Sequence, residues 1–246
     1  MFNLNIGERN AFKIKGGKNN GKVVKINTEK DKGDFNELIV EDGSIQQVPS
    51  YKDRDTLFIC APSGAGKSTY LASYAKEYKR KYPNNNLVLI SPKEDDEVLN
   101  QLNPIRIRLD DENFVDPDTK IDLDELEKSL VMFDDICAIA DDDVKKGVME
   151  LRDRLLTLGR SKKISTAITS HMITNHKETR VPLIESQFLV FFPGGGLTYQ
   201  SNNFMKRYCG LSNKQVQKIN STPSRWICFH KNYPMYVLAK DCAYTV

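Results

Sequence analysis

From Thr56 onward, short runs that are apolar at nearly every position alternate with longer stretches in which apolar residues recur every three or four. That alternation predicts buried parallel strands joined by crossover helices. TLFIC (56–60), bounded by YKDRD and by a glycine turn, reads as a central strand. Leu71, Tyr74, Ala75 and Tyr78 then follow helical spacing, with Lys76, Lys79, Arg80 and Lys81 toward the end and Pro83 as the stop. NLVLISP is the second predicted strand and SLVMFDDI, from Ser129 to Ile136, the third. A helix follows whose apolar face is Val144, Val148, Leu151, Leu155 and Leu158, with Gly159 as its C-cap. KISTAITSH and FLVFFP give two more strands, and the tail gives two short helices and a hairpin, RWICFH turning at KNYP into MYVLAK. The acidic stretch from Lys93 to Lys120, punctuated by Asp and Pro, reads as loop with short elements.

The first 54 residues have another character: FKIK, KVVKI and ELIVEDGSIQQV are short strand-like runs between Gly-, Asn- and Lys-rich turns. Such a segment is too small to bury enough surface alone, so it is expected to pack on the next domain or on a neighbouring subunit. The predicted organisation is a small β-rich segment, 1–54, and an α/β domain, 55–246, that ends in a β-hairpin. Its sheet is mainly parallel and flanked by helices. A length of 246 residues suits one such domain with an appendage, and no internal repeat is present.

Composition narrows the function. Charged residues make up 28% of the chain and no run approaches the roughly 20 apolar residues of a membrane-spanning helix, which excludes an integral membrane protein of that kind. The start, MFNLNIGERNAFKIK, lacks the layout of a signal peptide, so an intracellular, soluble chain is expected. Five cysteines without a C-x-x-C pair, beside three histidines, argue against a disulfide framework or structural zinc site and for buried, reduced thiols. Net charge is only +3, but residues 94–143 hold 18 acids against 4 Lys or Arg, whereas residues 144–246 hold 5 against 16. A basic last third permits a phosphate-rich partner, although a solvated surface has the same composition.

The residues from Ala61 to Ser68, APSGAGKS, follow a predicted strand and open a predicted helix. That context marks a phosphate-binding P-loop with Ala in place of the first Gly. Gly64 and Gly66 let the backbone wrap closely round phosphate and turn successive N–H groups toward it at a helix N-terminus. Lys67 places a charge on the β- and γ-phosphates, and the Ser68 hydroxyl can ligate Mg²⁺. The predicted ATP-binding set is Ala61, Pro62, Ser63, Gly64, Ala65, Gly66, Lys67, Ser68 and Thr69.

A P-loop needs a carboxylate from a nearby strand end to hold the metal. SLVMFDDI supplies Asp134 at the end of an apolar run, and Asp135 beside it to orient and deprotonate the attacking water. The strand NLVLIS lies between the two motifs in sequence, which resembles the additional-strand, RecA-like division of P-loop proteins. There a sensor strand sits centrally in the sheet. The corresponding strand here is KISTAITSH, with Thr169, Ser170 or His171 at its polar tip. Arg160, on a turn expected beside the nucleotide edge of the sheet, is a candidate arginine finger for a neighbouring subunit; Arg180 is a weaker one. Arg152 and Arg154 are expected on the solvated face of their helix.

Together, APSGAGKS, LVMFDDI and GRSKKISTAITSH resemble the FtsK-HerA superfamily of P-loop motor ATPases, and within it the DNA-packaging ATPases of large DNA viruses, virophages and related membrane-containing viruses. The resemblance covers roughly residues 56–246. His171 stands where that family usually has Gln, and Asp135 where it usually has Glu. It implies an ATP- and Mg²⁺-dependent ring, a hexamer or pentamer, that drives double-stranded DNA into a capsid. It also implies catalytic roles for Lys67, Asp135, Arg160 and His171, metal ligation by Ser68 and Asp134, and a capsid or internal-membrane partner at a virus assembly site or in the virion. Lys162, Lys163, Lys206 and Arg207 are candidates to face DNA phosphates. A small-molecule P-loop kinase is the alternative. It needs phosphate-gripping arginines in a lid, and the 93–120 stretch offers only Arg106 and Arg108. A GTPase is disfavoured because no N-K-x-D motif is present, and a packaging motor with its own nuclease because too little chain follows the final hairpin.

Overall fold

A computed structural model describes residues 1–28, 36–52, 54–173, 178–193 and 198–246, the last span beginning with the backbone of Thr198. Near the N-terminus lie β1 (Phe2–Asn3), β2 (Arg9–Lys15), β3 (Val23–Ile26), β4 (Glu37–Ile39) and β5 (Ser44–Gln47). Four of these form an antiparallel sheet in the order β1-β3-β2-β5. Its register sets Phe2 opposite Ile26, Phe12 opposite Val24 and Ile14 opposite Ile45, so one face is apolar.

The next stretch alternates strand and helix: β6 (Thr56–Cys60), α1 (Lys67–Lys81), β7 (Asn86–Ile90), α2 (Glu97–Asn100), β8 (Ile105–Arg106), α3 (Asp111–Phe114), β9 (Ser129–Phe133), α4 (Asp142–Leu158), β10 (Ser165–Ser170) and α5 (Arg180–Glu185). The five strands are parallel, in the order β6-β10-β9-β7-β8. β6 and β9 are buried at every residue, as strands covered on both faces are. α1 packs on β6, β7 and β10, α4 on β10, and α5 on β6.

The last stretch comprises β11 (Phe188–Phe191), α6 (Thr198–Arg207), α7 (Asn213–Ser221), β12 (Ile227–His230), β13 (Tyr236–Leu238) and β14 (Cys242–Thr245). The expected hairpin is β12–β13, but the chain continues into β14, which pairs with β13 on one side and β4 on the other. The chain accordingly divides into two compact units differently from a boundary at residue 54: residues 1–52 join residues 187–246, and residues 53–186 form the second unit. Within the first unit the N-terminal segment meets the C-terminal strands twice: β4 pairs with β14, and Phe2 packs edge-on against Tyr236 with ring centroids 5.8 Å apart.

Two details of α4 differ from its periodicity. Leu158 is 58% exposed, because it falls in the last turn where the described residues do not cover it, whereas Leu156 is fully buried. Arg152 is 3% exposed and not on a solvated face; its Nε donates to Asp153 Oδ1 at 2.8 Å. Gly159 caps the helix with a right-handed φ of −63°, so its lack of a side chain serves close approach. A Cβ there would stand 2.5 Å from Leu155 O and 3.1 Å from Arg54 Nη1. That arginine donates to Leu155 O at 2.6 Å, which also accepts from Gly159 N at 3.0 Å, and to Leu156 O at 2.7 Å, so it ties down the carbonyls of the last turn. Gly147, also in α4, meets α3: an added Cβ would lie 2.1 Å from Phe114 O, a backbone atom. Gly147→Ala is therefore expected to destabilise the protein by about 1–3 kcal/mol in urea unfolding, although Ala is the better helix former by up to about 1 kcal/mol.

His230 is fully buried, stacked on Tyr236 with ring centroids 4.5 Å apart. Its Nδ1 lies 3.2 Å from Pro234 O, which can only accept, so Nε2 takes the hydrogen bond from Tyr51 Oη at 2.8 Å. Burial lowers its pKa to about 3. The folded chain keeps it neutral while the unfolded chain protonates it near 6.5, so its contribution is complete above that pH and is lost as pH falls toward 3. Between pH 6.5 and 5, wild type should lose about 1.6 kcal/mol more than His230→Phe does, measured by urea unfolding at each pH.

Candidate nucleotide-binding site

The P-loop lies where β6 ends and α1 begins. Gly64 and Gly66 have φ of 74° and 112°, the left-handed region that a side chain enters only with strain. Gly66 is the N-cap of α1 and offers no side-chain acceptor, so the first-turn N–H groups are left to an external anion. Lys67, the first helical residue, is buried and folds back on its own loop, donating to Ala61 O at 3.0 Å and Pro62 O at 3.4 Å. Burial lowers its pKa, opposed by the charges of Asp135 and Asp134. Ser68 is half-buried, and Ser63 and Thr69 are exposed.

The central position of β10, between β6 and β9, brings the other groups to this loop. Asp134 follows β9 directly and is fully buried. Thr169 Oγ1 donates to Asp134 Oδ1 at 2.8 Å and accepts from Asp135 N at 3.1 Å, so one hydroxyl orients both acids. Asp135 has φ 50° and ψ 33°, a left-handed conformation rare outside Gly, Asn and Asp, which turns its side chain toward the P-loop. His171 stands between the halves of the site: Nδ1 is 3.3 Å from Lys67 Nζ and Nε2 is 3.0 Å from Asp135 Oδ1. The second approach is off the line of a hydrogen bond, which leaves Asp135 Oδ1 buried without a hydrogen-bond donor.

Lys93, just beyond β7, was not a sequence candidate. Its Nζ lies 2.6 Å from Asp135 Oδ2 and 3.4 Å from Asp134 Oδ2. The two acids consequently diverge. Burial raises the pKa of Asp134 against the bonds from Thr169 and Lys93. Burial also raises that of Asp135, but Lys93, His171 and Lys67 together outweigh it and hold that carboxyl below its ordinary value. Asp135 is thus ionised at neutral pH, as an acceptor of a water proton must be.

Of the three residues at the tip of β10, Thr169 orients the acids and His171 faces the site, while Ser170 Oγ donates to Met172 O in a local turn. Neither arginine of the 93–120 stretch is poised as a lid: Arg106 is held by Lys93 O at 2.8 Å and Asn100 Oδ1 at 2.7 Å, and Arg108 pairs with Asp110. Arg160 does not lie beside its own nucleotide edge. It precedes the start of β10, whereas the P-loop follows the end of β6, and the two strands run parallel. Six residues at about 3.3 Å each put about 20 Å between those edges, so Arg160 has no access to its own P-loop. Arg160, Arg180, Lys163, Lys206 and Arg207 are exposed, and Lys162 pairs with Asp124 at 2.5 Å.

The fold is an α/β one, its parallel strands flanked by helices, and is consistent with a RecA-like P-loop core. The chain belongs to the family of "Uncharacterized protein V3" of Sputnik virophage, with which it is 36% identical over 248 aligned positions covering all of this chain and 99% of the relative. No protein-family model matches it. Among solved structures, the fold is similar to the genome packaging NTPase B204 of Sulfolobus turreted icosahedral virus 2 in complex with ATP-γS, at TM-score 0.51 and 9% identity, over 76% of this chain and 98% of that one. It is also similar to B204, the DNA-packaging ATPase of Sulfolobus turreted icosahedral virus, at TM-score 0.50 and 11% identity over 76% and 98%. The pCW3 conjugation coupling protein TcpA with ATPγS matches at TM-score 0.51 and 12% identity over 93% and 76%. Among the described residues no helix is long and apolar enough to cross a membrane. The five cysteines are free; Cys60 and Cys228 are buried, and Cys137, Cys209 and Cys242 only half-buried.

Proposed function

We propose that this chain is an ATPase that drives double-stranded DNA, working as a homo-oligomeric ring in viral genome packaging. One observation carries the reading: the sensor strand lies between the P-loop strand and the acid strand, which sets His171 between Lys67 and Asp135. The similarity in fold to packaging NTPases supports it. A magnesium nucleotide fits the residues present, because the uncapped start of α1 suits phosphate and the buried Asp135 Oδ1 lacks a donor. Residues 61–69 would hold the phosphates, and Ser68 and Asp134 the metal, which would supply charge neutralisation at the transferred phosphoryl group. Lys67 binds phosphate, Asp135 accepts the proton of the attacking water, Thr169 orients both acids, and His171 links the phosphate side to the acid. Arg160 acts on the site of a neighbouring subunit. Lys163, Lys206 and Arg207 contribute phosphate contacts to DNA, and a capsid or internal-membrane component completes the assembly.

Steady-state ATP hydrolysis with and without double-stranded DNA, alongside the mass in solution, tests this reading. DNA-stimulated turnover by an assembly the size of a pentamer or hexamer is expected. A monomer whose turnover ignores DNA but phosphorylates a small molecule would move the function to a kinase.

A further inference from the structure

Two adjacent carboxylates in a buried site need a cation, and the chain supplies one itself. Lys67, the ammonium of the P-loop, is turned to the carbonyls of Ala61 and Pro62 and makes no ion pair with either acid among the described residues. Lys93 makes both. It covers Oδ2 of Asp134 and Oδ2 of Asp135, the former being the oxygen of Asp134 that Thr169 leaves open. The side chain is 41% exposed, so it has solvent to swing into, whereas Asp134 is fixed and fully buried. Its backbone is tethered by Arg106 Nη1 on Lys93 O, and Ser91 Oγ accepts from Lys93 N at 3.2 Å. The ammonium is therefore a movable group on a fixed base.

We propose that Lys93 is a built-in cation that holds Asp134 and Asp135 together before metal arrives, and that Mg²⁺ must displace it to bind. This rests on reading the site as one for a magnesium nucleotide. Lys93 is a positioning residue on that account: it keeps two like charges in place and sets how much metal is needed to take them over. Removing a competitor raises the apparent affinity of what it competes with. Arg106 has a role here that a lid arginine would not, since it anchors the loop from which Lys93 reaches.

The test uses the full chain and Mg²⁺ alone, with thermal unfolding as the readout. In Lys93→Met the Mg²⁺ concentration that half-saturates the rise in Tm should fall on the order of tenfold relative to wild type, while Lys93→Arg, which keeps the charge, should stay near wild type. Equal midpoints in wild type and a folded Lys93→Met would overturn the proposal. Should Lys93→Met fail to fold, wild type still decides: the amine of Lys93, followed by mass spectrometry after brief amine-directed labelling, must react faster when Mg²⁺ is added, and an unchanged or slower rate overturns the displacement. Binding of a fluorescent ATP analogue is measured in parallel. Its absence in wild type would remove the nucleotide reading while leaving the Mg²⁺ comparison of Lys93 variants to stand or fall separately.

Discussion

Asp135→Asn is expected to lose about 10²–10⁴-fold in ATP turnover while binding a fluorescent ATP analogue within a few-fold of wild type. The substitution is chosen for its backbone. Asp135 sits at φ 50° and ψ 33°, a region Asn enters nearly as readily as Asp, so the turn and the bond from its N–H to Thr169 Oγ1 persist. What is lost is the negative charge that Lys93, His171 and Lys67 hold ionised. Turnover and analogue binding measured on the same preparation separate the two effects. Loss of both would place Asp135 in nucleotide binding, and retention of turnover would remove it from proton transfer.

For Arg160→Ala the expected loss is larger, about 10³–10⁵-fold in turnover by the assembled ring, with assembly and nucleotide affinity retained. The residue lies at the edge of the sheet opposite its own P-loop, so on the proposed reading that loss falls on a neighbour's site. Mixing decides it. Arg160→Ala subunits carry an intact P-loop, and Lys67→Ala subunits carry an intact Arg160, so mixed rings contain interfaces with one good copy of each. Turnover rising above that of either variant alone is the expected result. No recovery in rings shown to be mixed would exclude action across the interface.

Much of this site was legible in the chain because its pieces are local. The P-loop needs its residues consecutive, since one turn of backbone wraps one phosphate, and APSGAGKS supplies them between an apolar run and a helical one. Asp134 and Asp135 were marked by where a buried strand stops, and His171 by the polar end of another. Burial on both faces writes a strand as a continuous apolar run, so β6, β7, β9 and β10 were visible. Lys93 was not, because its partners lie more than forty positions away and only the pairing of β7 with β9 brings it to them. Its one local signal was a lysine at the start of an acidic stretch, just after a predicted strand. Arg54 was hidden for a similar reason: it closes a helix end that lies about a hundred residues further on.

The sequence by itself determined what periodicity and contiguous motifs encode: the alternation of strand and helix, the glycine-rich loop that joins β6 to α1, and the pair of acids after β9. The tertiary structure alone decided what depends on strand order and direction. It set β10 between the loop and the acids, placed Arg160 at the far edge, joined the first strands to the last, and brought Lys93 onto Asp135. The physical reason is one of range. Side-chain alternation and helical spacing are properties of neighbouring residues, whereas register, burial of a single arginine, and the meeting of distant charges exist only once the strands have paired.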